Sequence, residues 1–228
     1  MEICKICLKK VSKNQRRNDY HNLCLIKLFD STSIDPKLPF SRDVFRSEFS
    51  KIYTKGMSIS GVQKKLSLKI ENNLLTLTST GGTYILKPTT EEFPELSENE
   101  HLSMLIGRLL DIETSPFGLV KFANGELVYI IKRFDWKNDH KIHNEDMASI
   151  FNLNRDEHEE YKYSQSYEAV GKKIKEITGG KLAVVLDFFN RLVYNYLIQN
   201  GDYHLKNISV IAERLTQSGY YESLGPNF

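Results

Sequence analysis

In several short runs between residues 66 and 133, apolar and polar residues alternate, which is the pattern of half-buried β-strands. Turn residues separate the alternating runs, and Asn72-Asn73 and Asn124-Gly125 are each typical of a tight hairpin. The predicted strands cover residues 66–70, 75–77, 84–87, 118–122 and 127–133.

Helical periodicity replaces this alternation in the rest of the chain. One apolar helix face follows Ser97, a residue type that often caps helices, and the pattern is helical throughout after Phe134. The predicted helices cover residues 98–111, 144–152, 163–178 and 181–199. Strands with a single helix, followed by helices alone, indicate an α+β fold with a β-rich first part and a helical second part.

The composition indicates an ordinary globular protein. Hydrophobic residues make up 40% of the 228 residues and charged residues 26%, and the net charge of +2 does not favour nucleic acid or membrane as a partner. No stretch approaches the roughly 20 apolar residues that span a bilayer, and the N-terminus lacks the order of a signal peptide. We therefore expect a cytoplasmic protein with no membrane partner.

The cysteines lie in the first 24 residues, where Cys4 and Cys7 form one close pair and His21 and Cys24 another. Two close pairs separated by a loop suit tetrahedral Zn²⁺, because each pair holds the metal from one turn. Four protein ligands leave no open position, so a structural role is expected. The alternatives are a short helical start with metal-free thiols and a zinc knuckle that binds nucleic acid.

A loop after the last predicted helix contains Asp202, His204 and Asn207. Protein kinases use Asp-x4-Asn to bring a proton-accepting carboxylate and a magnesium-binding amide to one phosphate group. The pattern alone is weak, since aspartate and asparagine are also common turn residues.

Lys87 ends the third predicted strand, and Glu100 follows in the first turn of the next helix. Kinases need a strand lysine for the ATP phosphates and a helix glutamate that positions it. Glu100 also fits a capping box with Ser97, so an ion pair with Lys87 and helix capping remain alternatives.

Two further segments fit the same scheme. The turn at residues 58–65 contains glycine, serines and lysines, and it offers N–H groups and positive charge to phosphates; a basic surface turn is the alternative. Residues 132–135 lie where strands give way to helices, which is the position of the adenine-binding hinge in kinases. A charged strand end is the alternative there.

These elements occur in the order that a two-lobed kinase requires, and together they resemble the HipA family, serine/threonine kinases that serve as toxins of bacterial toxin–antitoxin systems. The resemblance covers about residues 55–228 and is strongest to the short HipT branch. It rests on seven ordered motifs: Ser-Ile-Ser-Gly-Val-Gln-Lys-Lys-Leu (58–66), Tyr-Ile-Leu-Lys-Pro (84–88), Glu-Asn-Glu (98–100), Lys-Arg-Phe-Asp (132–135), Asn-Glu-Asp-Met (144–147), Lys-Tyr (162–163) and Gly-Asp-Tyr-His-Leu-Lys-Asn-Ile-Ser (201–209).

The resemblance implies ATP and Mg²⁺ as ligands and assigns roles to particular residues. Asp202 would be the catalytic base, Asn207 a Mg²⁺ ligand, and Lys87 the phosphate ligand supported by Glu100. His204 would lie beside the phosphates. Either Ser58 or Ser60 would accept an autophosphate. The other implied nucleotide contacts are Ser60, Gly61, Val62, Gln63, Lys64, Lys65, Lys132, Arg133 and Phe134, with Asp135 in a supporting position.

The resemblance also implies partners. These would be a HipB-like antitoxin, a small HipS-like protein, and an aminoacyl-tRNA synthetase as protein substrate. The chain would bind DNA only indirectly, through the antitoxin. The chain stops at Phe228, one residue short of the aspartate that follows Pro-x-aromatic in the family and binds Mg²⁺. We therefore expect a C-terminally truncated chain. The alternative function is a catalytically inactive module that binds nucleotide or antitoxin.

The expected organisation is a two-lobed protein-kinase-like fold that is incomplete at its C-terminus. Its segments are a zinc-knuckle-like segment (1–30), a connector (31–54), a β-rich N-lobe (55–134) and a partial helical C-lobe with the catalytic loop (135–228).

Overall fold

The computed structural model describes residues 2–12, 16–17, 19–44, 47, 65–137, 140–153, 160–212 and 221–226. The chain divides into two compact units. The first contains residues up to 106 together with 115–133, and the second contains 107–114 and 134–227.

The first unit begins with the cysteine-containing segment. Strand β1 (Arg16–Arg17) pairs antiparallel with β2 (Tyr20–His21), and helix α1 (Asn22–Phe29) follows at once. The helix ends at Asp30, whose left-handed backbone (φ 58°) lets its N–H bond the Ile26 carbonyl. This terminal bond satisfies a carbonyl that the last helical turn would otherwise leave unpaired.

An antiparallel sheet of five strands forms the centre of the first unit, in the spatial order β4-β3-β5-β7-β6. The strands are β3 (Leu66–Glu71), β4 (Leu74–Leu77), β5 (Tyr84–Lys87), β6 (Phe117–Lys121) and β7 (Leu127–Lys132). All five predicted strands are therefore confirmed, with ends that shift by at most one residue.

Local residue chemistry accounts for the register of this sheet. Asn72 and Asn73 both adopt left-handed backbone (φ 51° and 62°), the conformation that a two-residue hairpin turn needs. Leu66 and Leu68 are buried, whereas Ser67 between them is half-buried, as strand alternation requires.

Helix α2 (Leu96–Leu109) lies between β5 and β6 in the sequence. It begins two residues earlier than predicted, so Ser97 lies inside its first turn and the predicted N-cap is wrong. The physical reason is a tertiary contact: the Ser97 hydroxyl donates to the Lys87 carbonyl at 3.1 Å and is committed to the neighbouring strand.

The second unit combines helices with short strands. Its elements are β8 (Trp136–Lys137), β9 (His140–Lys141), β10 (His143–Asp146), α3 (Met147–Ile150), a 3₁₀ turn (Tyr161–Tyr163), α4 (Tyr167–Ile177), α5 (Leu182–Leu197), β11 (Ser209–Ala212) and β12 (Ser223–Leu224). Strands β10, β11 and β12 form an antiparallel sheet in that order, and β8 pairs with β9.

The predicted helix at residues 144–152 is largely wrong. Residues 143–146 form β10 because they pair with β11, more than sixty residues later, and only Met147–Ile150 is helical. Pairing with a strand so distant in the sequence cannot be predicted from the periodicity of residues 143–146 alone. Asp146 then caps the short helix, since its Oδ1 accepts from the Ser149 N–H at 2.9 Å.

The other two helices of the second unit are confirmed. Helix α4 starts later than predicted, at the N-cap Ser166, whose hydroxyl accepts from the Ala169 N–H at 3.1 Å. The core of the unit contains Met147, Val170, Ile174, Phe188, Tyr203, Leu205 and Val210. Among the described residues, no helix combines the length and the apolar character that crossing a bilayer requires.

Candidate active site and cysteine cluster

In the first unit, the buried Lys87 and the partly buried Glu100 form an ion pair. Lys87 is the last residue of β5, opposite Tyr129 on β7, and its side chain is 8% exposed. Its ammonium group contacts Glu100 Oε1 and lies 5.5 Å from the centre of the Tyr129 ring. The structure therefore places this carboxylate on the lysine, as the kinase interpretation of the sequence requires, and not in a capping box.

The second carboxylate oxygen of Glu100 makes no hydrogen bond to Lys87. Glu100 Oε2 is buried and has no hydrogen-bond partner among the described residues. A buried carboxylate oxygen without a donor is costly, because its desolvation is not compensated. The ion pair with Lys87 therefore satisfies one oxygen of this carboxylate and leaves the other without a donor in the part of the chain that the structure describes.

In the second unit, the loop after α5 brings Asp202 and Asn207 together. The Asn207 side-chain amide Nδ2 donates to Asp202 Oδ2 at 2.9 Å and to the Asp202 carbonyl at 2.7 Å. Because both bonds use Nδ2, the amide oxygen Oδ1 is the atom that remains for a metal ion. Carboxylate and amide oxygens are suitable ligands for Mg²⁺, so this pair fits the ion.

His204 contacts the other oxygen of the same carboxylate. Its Nε2 lies 3.1 Å from Asp202 Oδ1, and its buried ring meets the Tyr163 ring edge-on at 5.3 Å. A carboxylate accepts hydrogen bonds, so Nε2 must carry the proton. This hydrogen bond is the largest cause that lowers the pKa of Asp202; Asn207 and Lys162 act in the same direction and burial opposes them.

Side chains that the sequence interpretation did not single out hold this loop in place. Asn200 Nδ2 donates to Asn195 Oδ1 at 2.7 Å, and Asn200 Oδ1 accepts from the Asp202 N–H at 3.1 Å. The Tyr167 hydroxyl donates to the Tyr203 carbonyl at 2.6 Å. Asn195 and Arg191 had a detectable signal, because they are polar residues at helical spacing from the apolar residues Val184 and Phe188.

A pocket lies beside this loop. Arg191 forms a two-point salt bridge with Asp187, and its Nη1 donates to the Gly225 carbonyl. The pocket is lined by Arg191, Tyr203, Asn207, Ile208, Ser209, Leu224, Gly225 and Pro226. The Arg191 bond therefore connects α5 to the segment after β12.

The predicted adenine-binding residues are only partly available in this conformation. The Lys132 and Arg133 N–H groups donate to the Pro116 and Thr83 carbonyls, both at 2.8 Å. The Lys132 ammonium is paired with Asp30. Neither N–H group is thus open to adenine here.

Several predicted site residues lie elsewhere or are not described. In the second unit, Asp135 is buried and its carbonyl accepts from the Ile142 N–H at 2.9 Å. Phe134 is half-buried in the same unit, and Lys65 is half-buried just before β3. Residues 58–64, which include Ser58 and Ser60, lie outside the described residues.

The cysteine cluster has the geometry of a metal site. The side-chain donor atoms of Cys4, Cys7, His21 and Cys24 all lie within 4.8 Å of one another. Cys7 Sγ is 3.4 Å and Cys24 Sγ 3.8 Å from His21 Nδ1. A tetrahedral zinc ion with ordinary bond lengths would place sulfur and nitrogen ligands about 3.6 Å apart.

The surroundings of the cluster also fit zinc. His21 Nε2 lies 3.1 Å from the Lys10 carbonyl, so it carries the proton and leaves Nδ1 for a metal. The hydrogen bond between Cys24 and Cys4 lowers the pKa of the Cys4 thiol and raises the pKa of the Cys24 thiol, so the metal-free cluster favours a thiolate at Cys4. Thiolate is the form that binds zinc. The donor set and its spacing therefore match a structural zinc site.

A sequence profile of the HipA-like C-terminal domain matches residues 57–224, which is well over half of the chain. The chain belongs to this family. A Haemophilus influenzae protein named "Putative kinase" is 38% identical over 223 residues, covering 92% of this chain and 64% of the relative. A Sinorhizobium fredii protein named "Putative kinase Y4dM" is 33% identical over 171 residues, covering 68% of this chain and 40% of the relative. This HipA-like chain thus spans less than two thirds of the length of these relatives.

Solved structures show the same fold. The HipA-like chain is similar to a structure described as the Shewanella oneidensis MR-1 toxin–antitoxin system HipA, HipB and operator DNA complex, with a TM-score of 0.56 and 18% identity over 75% of this chain and 43% of that one. It is also similar to the structure of the Helicobacter pylori proinflammatory kinase CtkA, with a TM-score of 0.53 and 20% identity over 75% of this chain and 54% of that one. The predicted kinase-like α+β fold and the predicted HipA-like family are both confirmed.

Proposed function

We propose that this HipA-like chain is a cytoplasmic, ATP-dependent serine/threonine protein kinase. The observation that carries the proposal is the occurrence of both halves of kinase chemistry in one chain: the Lys87–Glu100 ion pair and the Asp202–Asn207 loop. Family membership and relatives named as kinases support the same function.

Asp202 is the general base of the proposed reaction. Its carboxylate accepts the proton of a serine hydroxyl as that oxygen attacks the γ-phosphorus of ATP. The bond between the γ-phosphorus and the β–γ bridging oxygen breaks, and ADP leaves. The hydrogen bond from His204 keeps this carboxylate ionised and oriented.

Lys87 binds the ATP phosphates in this proposal, and Glu100 holds its ammonium group in place. Asn207 holds Mg²⁺ through Oδ1, and the ion supplies charge neutralisation at the phosphates when it is bound. His204, Lys65 and Phe134 are further nucleotide contacts in this proposal. Lys132 and Arg133 would join them only if their N–H groups left the Pro116 and Thr83 carbonyls. The resemblance adds residues 60–64 to the nucleotide contacts.

The proposed kinase also has a protein target and partners. We infer autophosphorylation on Ser58 or Ser60 and a serine of an aminoacyl-tRNA synthetase as target, both from the resemblance to HipA kinases. A HipB-like antitoxin is the inferred partner, since the similar Shewanella HipA was solved with HipB and operator DNA. A small HipS-like protein is a second inferred partner.

The test combines ATP binding with phosphate transfer. Calorimetry measures binding of Mg²⁺-ATP to the parent chain, Lys87→Met and Lys69→Met. Lys69→Met is the control, because Lys69 lies on the same sheet, its side chain is 41% exposed and it pairs with Glu71. Intact mass after incubation with Mg²⁺-ATP then reports autophosphorylation, and peptide mapping locates it.

We expect Lys87→Met to weaken ATP binding about tenfold or more, because a charge-assisted contact is lost, and Lys69→Met to leave it unchanged. Added phosphate at Ser58 or Ser60 would establish the kinase. ATP binding without any transfer would favour the inactive nucleotide-binding module, and equal binding by both lysine variants would contradict the assigned site.

A further inference from the structure

The cysteine cluster is bonded to helix α2, which carries Glu100, and to strand β6, which belongs to the same sheet as Lys87. The Ile6 carbonyl accepts from His101 Nε2 at 2.9 Å, and the Lys5 carbonyl accepts from the Leu119 N–H at 3.0 Å. Both acceptors lie in the turn between Cys4 and Cys7. The cluster is therefore attached to helix α2 and strand β6 through the very turn that supplies two of its thiols.

His101 is the contact that reaches the ion pair. It is 1% exposed, follows Glu100 directly in the helix, and meets the Phe117 ring edge-on at 5.5 Å. A carbonyl only accepts, so Nε2 of this histidine is the donor. The position of the Ile6 carbonyl thus constrains the first turns of α2, where Glu100 lies.

Close packing leaves this turn little freedom. A Cβ added to Gly118 would lie 2.7 Å from Ile6 Cγ1, so glycine permits Ile6 to approach the sheet closely. A rigidly packed contact of this kind transmits a shift of the turn to the neighbouring helix.

The turn is also held in an unfavourable conformation. Leu8, the residue after Cys7, has a left-handed backbone (φ 57°), which is costly for a bulky side chain. Such strain persists only where surrounding bonds hold it. Two backbone hydrogen bonds hold the turn: the Leu8 N–H donates to the Cys4 carbonyl at 2.9 Å, and the Cys4 N–H donates to the Lys9 carbonyl at 3.0 Å. A metal ion bound by the Cys4 and Cys7 thiolates would add a further restraint on the same turn.

We propose that metal loading of the cysteine cluster controls nucleotide binding at Lys87, because the loaded turn holds α2 through the Ile6–His101 hydrogen bond. His101 is then a positioning residue, and the ligand of the cluster is a thiolate-binding divalent cation such as Zn²⁺. The proposal rests on the proposed function for its use of Lys87 as the phosphate ligand.

The first experiment follows hydrogen exchange in the parent protein, zinc-loaded and after chelation, without nucleotide. We expect chelation to speed exchange in the cluster segment and in α2, while β3 and β4 keep their protection. Unchanged exchange in α2 would overturn the coupling. Loss of protection throughout the first unit would give the metal a purely structural role and would also overturn it.

The second experiment measures the dissociation constant of Mg²⁺-ATP, zinc-loaded and chelated, for the parent, His101→Leu and His101→Gln. The control is His143→Leu, which removes an exposed histidine of the second unit. Cobalt substitution, read from thiolate–Co²⁺ absorption, checks that each variant retains its cluster.

Chelation is expected to weaken ATP binding by the parent and by His143→Leu about 5- to 150-fold, the usual range of coupling between two sites. His101→Leu should bind ATP weakly in both states, and His101→Gln, which keeps a donor, should approach the parent. An equal effect of chelation on the parent and His101→Leu would contradict the proposed route.

ATP binding and hydrogen exchange distinguish loss of the kinase site from loss of the coupling. Absence of ATP binding by the zinc-loaded and the chelated parent would contradict the proposed function and, with it, the control of nucleotide binding. Exchange in α2 requires no nucleotide and no variant. It therefore decides the mechanical coupling even where His101→Leu does not fold.

Discussion

Asn207 donates its side-chain amide to the carboxylate of Asp202, at 2.9 Å from Oδ2. The second bond of the same amide, to the Asp202 carbonyl, closes the loop between the two residues. His204 occupies the other carboxylate oxygen. Both oxygens of the proposed base are therefore oriented by donors from within its own loop.

This arrangement predicts that Asp202→Asn abolishes phosphate transfer with little effect on ATP binding. Removing a general base typically costs about 10²- to 10⁴-fold in rate. Transfer is measured by intact mass and ATP binding by calorimetry. Asp111→Asn is the control, since Asp111 has a left-handed backbone (φ 57°) that asparagine tolerates well. Retained transfer by Asp202→Asn would discard the proposed base.

The pKa of Asp202 should rise when His204 is replaced by leucine, because the hydrogen bond that lowers it most is lost. The folded-state pKa of Asp202 is lowered, so its stabilising contribution is present above the unfolded pKa and disappears as the pH falls through the folded pKa. The side chain is 73% exposed, so solvent screens the effect. Carboxyl ¹³C NMR titration measures the pKa of Asp202. An unchanged pKa of Asp202 in His204→Leu would argue against the hydrogen bond between the two residues.

Breaking the Lys87–Glu100 pair should destabilise the first unit. Each single variant, Lys87→Met or Glu100→Leu, leaves one buried charge without its partner and is expected to lower the free energy of unfolding by about 3–5 kcal/mol. The double variant removes both charges and should recover most of that loss. Urea unfolding of the parent and the three variants gives the interaction free energy between Lys87 and Glu100. Additive losses in the double variant would contradict a buried pair.

Zinc should stabilise the first unit through the cysteine cluster. A ligand that binds only the folded state raises the free energy of unfolding by about 4 kcal/mol at a free concentration a thousandfold above its dissociation constant. Calorimetric unfolding with and without a chelator measures this shift. Cys24→Ser should remove both the bound metal and the shift, whereas a chelator effect that persists in Cys24→Ser would place the metal elsewhere.

Gly82→Ala should destabilise the sheet. A Cβ at Gly82 would lie 2.7 Å from Ser67 Cβ and 3.2 Å from the Leu68 carbonyl oxygen. Overpacking of this kind costs about 1–3 kcal/mol. Gly201→Ala is the matched control, because a Cβ there meets nothing within 4 Å and should change stability by less than about 0.5 kcal/mol. Equal stability of the two variants in urea unfolding would contradict the close approach at Gly82.

Local sequence determined those features that depend on near neighbours. Strand alternation and the Asn72-Asn73 turn located the five-stranded sheet, and the spacing of cysteines and histidine located the cluster of Cys4, Cys7, His21 and Cys24. These features were predictable because each arises from residues that are close along the chain, or from a spacing that is typical of metal ligands.

Tertiary structure decided the features that join distant segments. Strand β10 is a strand and not a helix because β11 pairs with it. Glu100 pairs with Lys87, and not with the start of its own helix, because the Ser97 hydroxyl is bound by the Lys87 carbonyl. The bond from His101 to Ile6 joins residues 95 positions apart. No periodicity records such contacts, since their energy depends on packing that exists only once the chain has folded.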